Sequence, residues 1–216
     1  MAQRPSCPLC HKRRPERFCP AVGEKICAIC CGTERERTLD CPADCAYLIR
    51  AHRYEQEHRQ PLTAAEIPFA DVEISRQTIY EQEPLVSGLA DALVKFAGEQ
   101  RSLTDQDALS ALIALADAYR TLVSGIYYEK PPDAPLPALL YAALAAFIQE
   151  YKKQAAASAF AGLKDSAVFA VLVYLARICR STANGRPRSR MFLQLLRAQS
   201  PEGREQPAEA SRIIMP

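Results

Sequence analysis

The sequence predicts a mainly α chain in two unequal parts, a small irregular cysteine-rich module followed by an all-α helical bundle of about five helices. Three observations carry this. Eight of the nine cysteines fall between Cys7 and Cys45. From Pro84 onward, apolar residues recur at helical spacing between proline and glycine stops. The 216 residues are 49% apolar and 24% charged, an ordinary composition that leaves enough apolar surface to bury a core.

The cysteines are spaced as Cys7-x2-Cys10, Cys19, Cys27-x2-Cys30-Cys31 and Cys41-x3-Cys45. Thiols this dense either form disulfides or bind metal, and the compartment separates the two. MAQRPSCPLC has no apolar leader, so the expectation is a cytoplasmic chain with reduced thiols. Tetrahedral zinc is held by pairs of short knuckles brought together from separate parts of a chain, and three such knuckles are present. Eight thiols make two complete sites, giving a cofactor expectation of two zinc ions. The vicinal Cys30 and Cys31 point to opposite faces in extended chain and so divide between them.

The simplest partition places Cys7, Cys10, Cys27 and Cys30 on one ion and Cys19, Cys31, Cys41 and Cys45 on the other, an interleaved cross-brace. An exchange of Cys27 with Cys31, or replacement of a thiol by His11 or His52, is compatible with the same spacing. His52 and His58 are otherwise expected to be solvent-exposed on the charged helix YLIRAHRYEQEHR. Neither ferredoxin ligand run occurs, and the CxxC pairs lack the βαβ context of a redox site.

Residues 1–60 hold 11 Lys or Arg and 8 Asp or Glu. Two ions on eight thiolates would bring the module close to neutral, so Lys12, Arg13, Arg14, Arg17, Arg35 and Arg37 are expected to balance thiolate charge.

With these knuckles in place, the stretch resembles the double-zinc cross-brace fingers of the HIT, MYND and B-box type, which serve mainly as platforms for protein partners. The resemblance covers about a fifth of the chain. Phe18-Cys19-Pro20 begins a knuckle of the HIT pattern, but Val22 stands where its second cysteine would be, so Cys19 must pair elsewhere.

The module with its exit helix is assigned to residues 1–58. Residues 59–83 are read as a linker in which the alternation from Asp71 to Ser75 predicts a short strand. The bundle follows over 84–200. Pro84 suits a first helical position, with a stripe of Leu85, Leu89, Leu93 and Phe96 ahead of Gly98. Thr104 and Asp107 have capping-box spacing and open a second helix that stops near Gly125. The third helix starts after PPDAPLP and ends by Gly162. The fourth, Asp165 to about Ala183, is apolar nearly all round and should be the central helix, with Cys179 as a core thiol. Asn184-Gly185 closes it, and a fifth runs from Ser189 to Gln199. Residues 201–216 are polar and proline-containing, which predicts a disordered tail. The longest apolar runs, Ala138 to Ile148 and Ala167 to Ala176, are far shorter than the roughly 20 residues that cross a bilayer, so no membrane partner is expected.

Function is less legible. No Gly-rich phosphate loop, HExxH or GxSxG occurs, and zinc held by four thiolates has no open position for chemistry, so the chain is not expected to be an enzyme. The expectation is a noncatalytic adaptor or scaffold for protein–protein interaction, with self-association as one form. The alternative is nucleic-acid binding by the face from Arg177 to Arg197, a stretch holding six arginines and no acid. Within it Arg186, Arg188 and Arg190 stand before a helix N-terminus and are the sharpest candidate anion or partner site. Their competing role is pairing with residues 61–100, which hold seven acids against two bases. Tyr119 and Arg120, in the aromatic segment YRTLVSGIYYE, are the second candidate partner surface. As a whole, the chain resembles a group of uncharacterised bacterial proteins that share CCGTxRE…CPxDCxYL, YRTLxSGxYYE and NGRPRxR phrases. That resemblance supports the two-part architecture and implies no activity.

Overall fold

In a computed structural model the described residues are 5–158 and 162–200, and the predicted tail over 201–216 lies outside them. The metal-type module comes first. Strands β1 (Arg17–Cys19) and β2 (Glu24–Ile26) pair antiparallel with Phe18 opposite Lys25. The chain reverses between them at Gly23, whose φ of +77° suits glycine, while the Val22 and Gly23 amides donate to the Cys19 carbonyl. Helix α1 (Ala28–Glu34) and the exit helix α2 (Ala46–Glu57) complete the module. Its buried cluster is mostly sulfur: Cys7, Cys19, Cys27, Cys30 and Cys31 surround Ile26.

The expected strand over Asp71 to Ser75 does not form. Residues 68–72 make turns, and Arg177 reaches in to donate to the carbonyls of Pro68, Phe69 and Val72. One guanidinium thus satisfies three backbone acceptors of the turn, of which Val72 lies in the predicted strand. Helix α3 (Arg76–Glu81) follows, capped by Ser75, which accepts from the Thr78 amide.

The five expected bundle helices are α4 (Glu83–Glu99), α5 (Asp105–Val123), α6 (Pro135–Ser158), α7 (Asp165–Thr182) and α8 (Met191–Gln199). Local chemistry marks several of their ends, though α4 runs through Gly98, α6 starts at Pro135 within PPDAPLP, and α8 starts at Met191, two residues after Ser189. Pro84 occupies the first turn of α4, Thr104 and Asp107 form the reciprocal capping box of α5, and Gly125 and Gly185 take positive φ just past α5 and α7. Helix α7 packs against α3, α4, α5 and α8 and is the most enclosed, with Val168, Val171, Leu172, Val173, Ala176 and Cys179 fully buried. Burial pushes the Cys179 thiol strongly up, as suits an inert core sulfur. Helix α6 lies on α4 and α5, and Gly88 permits its close approach: a Cβ there would stand 2.5 Å from the Phe147 ring.

A buried acid ties α5 to α8. Asp105, 1% exposed, accepts from the Ser189 hydroxyl at 2.8 Å and from the amides of Phe192 and Leu193 at 3.2 and 3.3 Å. Helix α8 has no cap from its own preceding residue, so the first residue of α5 caps it from across the bundle.

Among the described residues no helix is long and apolar enough to cross a membrane.

Candidate metal centre and its junction with the bundle

Four of the predicted ligands converge. The sulfurs of Cys7, Cys10, Cys27 and Cys30 all lie within 4.8 Å of one another, as the first set of the cross-brace partition requires. Two local structures place them. Cys7 and Cys10 flank a turn in which the His11 amide donates to the Cys7 carbonyl and the Cys7 amide to that of Arg13, with His11 at a φ of +52°. Cys27 and Cys30 open α1, with Cys27 as its N-cap.

The backbone is arranged to favour thiolate. The Cys27 amide donates to the Cys7 sulfur at 3.3 Å and the Cys30 amide to the Cys27 sulfur at 3.4 Å. Burial works to raise the Cys7 thiol, but the amides of Cys27, Cys10 and Leu9 outweigh it and hold the group below its ordinary value. Cys10, which faces the amides of Lys12 and Arg13, is held down to about 6. Cys30 is pushed up to about 12, first by its side-chain hydrogen bond to Cys27 and then by burial, so it keeps its proton at neutral pH. The Arg13 guanidinium is raised by its hydrogen bond to Cys27 and by the charge of Cys10. Of the basic residues expected to balance thiolate charge, Arg13 does so directly. This set of four sulfurs fits a soft, tetrahedral ion of the zinc type.

The second predicted set, Cys19, Cys31, Cys41 and Cys45, does not converge in the same way. Among the described residues no three of its sulfurs share a 4.8 Å cluster. Cys19 and Cys31 are buried, Cys41 and Cys45 half-buried. Cys41 is raised chiefly by burial, with the charges of Cys19 and Cys45 adding to it, while the Glu36 amide works to lower it.

The histidines are placed differently from expectation. His52 is buried rather than exposed, at 9%, with its Nε2 donating to Glu36 Oε2 at 2.9 Å. The exit helix turns this face toward the bundle, which is why its polar sequence reads wrongly as solvated. His58 is exposed and stacks on Tyr54, and His11 is also exposed. Glu36, His52 and Glu55 bring three metal-type ligand atoms together. Yet Asn184 Nδ2 already donates to both carboxylates, at 2.8 and 3.0 Å, and Arg35 binds Glu55 at 3.0 Å. With those cations and donors in place, the cluster works as a hydrogen-bonded junction between module and bundle.

The NGRPRSR turn, expected as an anion- or partner-binding site, forms the bundle's half of that junction through Arg186 and Arg190. Arg186 Nη1 donates to the carbonyls of Arg35 and Gly32 at 2.6 and 3.3 Å, and its Nη2 lies 3.6 Å from Glu55. Arg190 donates to Asp40 at 2.6 Å and to the Leu103 carbonyl at 3.0 Å. The Arg188 amide donates to the Glu36 carbonyl at 2.9 Å, while its side chain is exposed. The acids that draw these arginines belong to the cysteine module, not to residues 61–100. Their neighbours Arg177 and Arg180 are engaged by the carbonyls of residues 68–72 and by Glu66.

The second candidate surface divides. Tyr119 is 5% exposed and belongs to the core, where burial pushes its hydroxyl up to about 12. Arg120 lies at the surface and pairs with Asp71 at 2.7 Å. Beyond them Val123, Ile126, Tyr127, Tyr128 and Leu139 are exposed around the α5–α6 turn, Tyr127 to 72%. Beside this patch is an open cleft of about 740 Å³ lined by Arg120, Tyr128, Lys130, Pro131 and Pro132.

Comparison with protein-family models, with curated proteins and with solved structures finds no match.

Proposed function

We propose that the chain is a noncatalytic zinc-binding adaptor, in which the cysteine module and the helical bundle together present a surface to a protein partner. The convergence of Cys7, Cys10, Cys27 and Cys30 carries the reading. An ion bound by four thiolates is coordinatively closed, so its contribution is to shape the module rather than to activate water or substrate. The exposed apolar and aromatic patch at the α5–α6 turn supports the partner half, because aromatic residues and arginine are enriched at interface centres. The engagement of Arg177, Arg180, Arg186 and Arg190 by protein atoms weighs against nucleic-acid binding by that face. A second zinc ion on Cys19, Cys31, Cys41 and Cys45 belongs to the same reading, on the strength of their spacing.

Metal analysis of protein purified without chelator tests it, and zinc at one to two equivalents per chain is the expected result. A content near zero, or iron with visible absorbance, overturns it. For the partner half, the wild type and a Tyr127→Ala/Tyr128→Ala variant are compared in capture experiments with and without nuclease. Nuclease-insensitive protein captured by the wild type and lost by the variant is expected, whereas recovery of nucleic acid alone refutes the adaptor reading.

A further inference from the structure

Helix α1 is seven residues long, too short to persist by itself, and it is held at both ends by groups outside it. Its start carries Cys27 and Cys30, half of the candidate metal set. At its far end Arg186 donates to the carbonyls of Gly32 and Arg35, acceptors that the helix leaves unpaired, and places a cation at the negative end of the helix dipole. Glu36 comes next, 2% exposed and at a φ of +53°, a conformation unfavourable for a residue with a side chain. It is fixed there by three contacts: its carbonyl accepts from the Arg188 amide, and its carboxylate from Asn184 and His52. Two of those donors come from the turn after α7. The bundle therefore supports the element that presents two of the four thiols, from the opposite end.

We propose that the turn from Asn184 to Arg190 is a distal positioning element for the metal centre, so that docking on the bundle strengthens zinc retention and zinc occupancy strengthens docking. The two effects are equal in size by thermodynamic linkage, since each ligand of a coupled pair shifts the other by the same factor. The proposal rests on the reading that Cys7, Cys10, Cys27 and Cys30 hold zinc. It adds that Asn184 and Arg186, which touch no ligand sulfur, act on that site through α1. A merely structural role for the turn would leave zinc release unchanged.

The test uses the zinc-loaded full chain and follows release to a chromophoric chelator, alongside hydrogen exchange of α1 and of residues 184–190. In Asn184→Ala/Arg186→Ala, zinc affinity measured by competition with the chelator should be at least about fivefold weaker, the lower end of ordinary coupling, with release faster accordingly. The single variant Arg186→Lys, which keeps the charge but loses the forked geometry, should fall between the two. Thermal unfolding of the bundle checks that it remains folded, and Arg186→Ala alone serves if the double variant does not fold. Conversely, chelation of the wild type should raise exchange at the Arg188 amide. An unchanged zinc affinity in folded variants, or full protection of residues 184–190 after chelation, overturns the proposal. Wild-type protein that binds no zinc would instead bring down the metal reading itself, and this proposal with it.

Discussion

The two halves of this chain are stabilised by different chemistry. The bundle buries a continuous set of leucine, valine and alanine side chains from α4 to α8, enough apolar surface to fold by the hydrophobic effect. The module has a buried cluster built around Ile26 and cysteine sulfurs, with Leu48 on its exit helix, and such a small region cannot bury enough to stand alone. Its thiols are arranged where a leucine core would otherwise be. On the proposed zinc reading, metal affinity and folding are one quantity in the module, whereas the bundle folds without metal.

Chelation should separate the halves most sharply. Structural zinc contributes about 10–16 kcal/mol in small modules, so its removal is expected to unfold the cysteine-rich region while α4 to α8 stay helical. Circular dichroism with hydrogen exchange reads both, and loss of most helical signal would show that the halves are not independent. The pH dependence sharpens the same contrast. At pH 7 Cys10, held down to about 6, is already largely thiolate, while Cys30, pushed up to about 12, must lose its proton to become a ligand. Zinc uptake in weakly buffered solution should release protons, and affinity should fall further as pH drops through Cys10's value.

The next effect concerns the bundle alone. Leu112→Ala or Leu172→Ala, each at a fully buried position, should lower stability by about 2–5 kcal/mol in a denaturant titration and leave zinc content unchanged. Loss of zinc from either variant would contradict the division drawn above.

Asp105→Ala is expected to remove about 2–3 kcal/mol, because Ser189 and the amides of Phe192 and Leu193 lose a buried acceptor. Burial raises this carboxyl above its ordinary 3.8 despite those donors. The folded state therefore binds more protons than the unfolded one across that window, and the Asp105 contribution weakens as pH rises from 3.8 through the folded value. In Asp105→Asn that slope should disappear from midpoints measured against pH.

Arg120→Ala should change stability least, by under about 0.5 kcal/mol, since its pair with Asp71 is exposed on both sides. A larger fall in thermal midpoint would mean that the linker turn is held by this pair rather than by Arg177.

Local chemistry along the chain was enough to locate the helices and the first ligand set. Pro84, the Thr104–Asp107 capping box, Gly125 and Asn184-Gly185 act within one turn of themselves, so they mark the same boundaries in the structure. The two CxxC knuckles are likewise local, and Cys30 alone joins the converged set, although Cys30 and Cys31 lie in helix α1 and not in the extended chain that predicted their division. What the sequence could not disclose depends on partners far along the chain. His52 is buried where it meets Glu36, which Asn184 also binds, Asp105 because it caps a helix that begins 86 residues later, and Tyr119 in the bundle core, with Lys152 of α6 over its ring. The arginines of the turn after α7 carry the same charge in either setting, and only the docking of the module decided that Arg186 and Arg190 face protein acceptors instead of solvent. Such pairings span up to about 150 positions, whereas hydrophobic period and capping preference report only on neighbours a turn or two away.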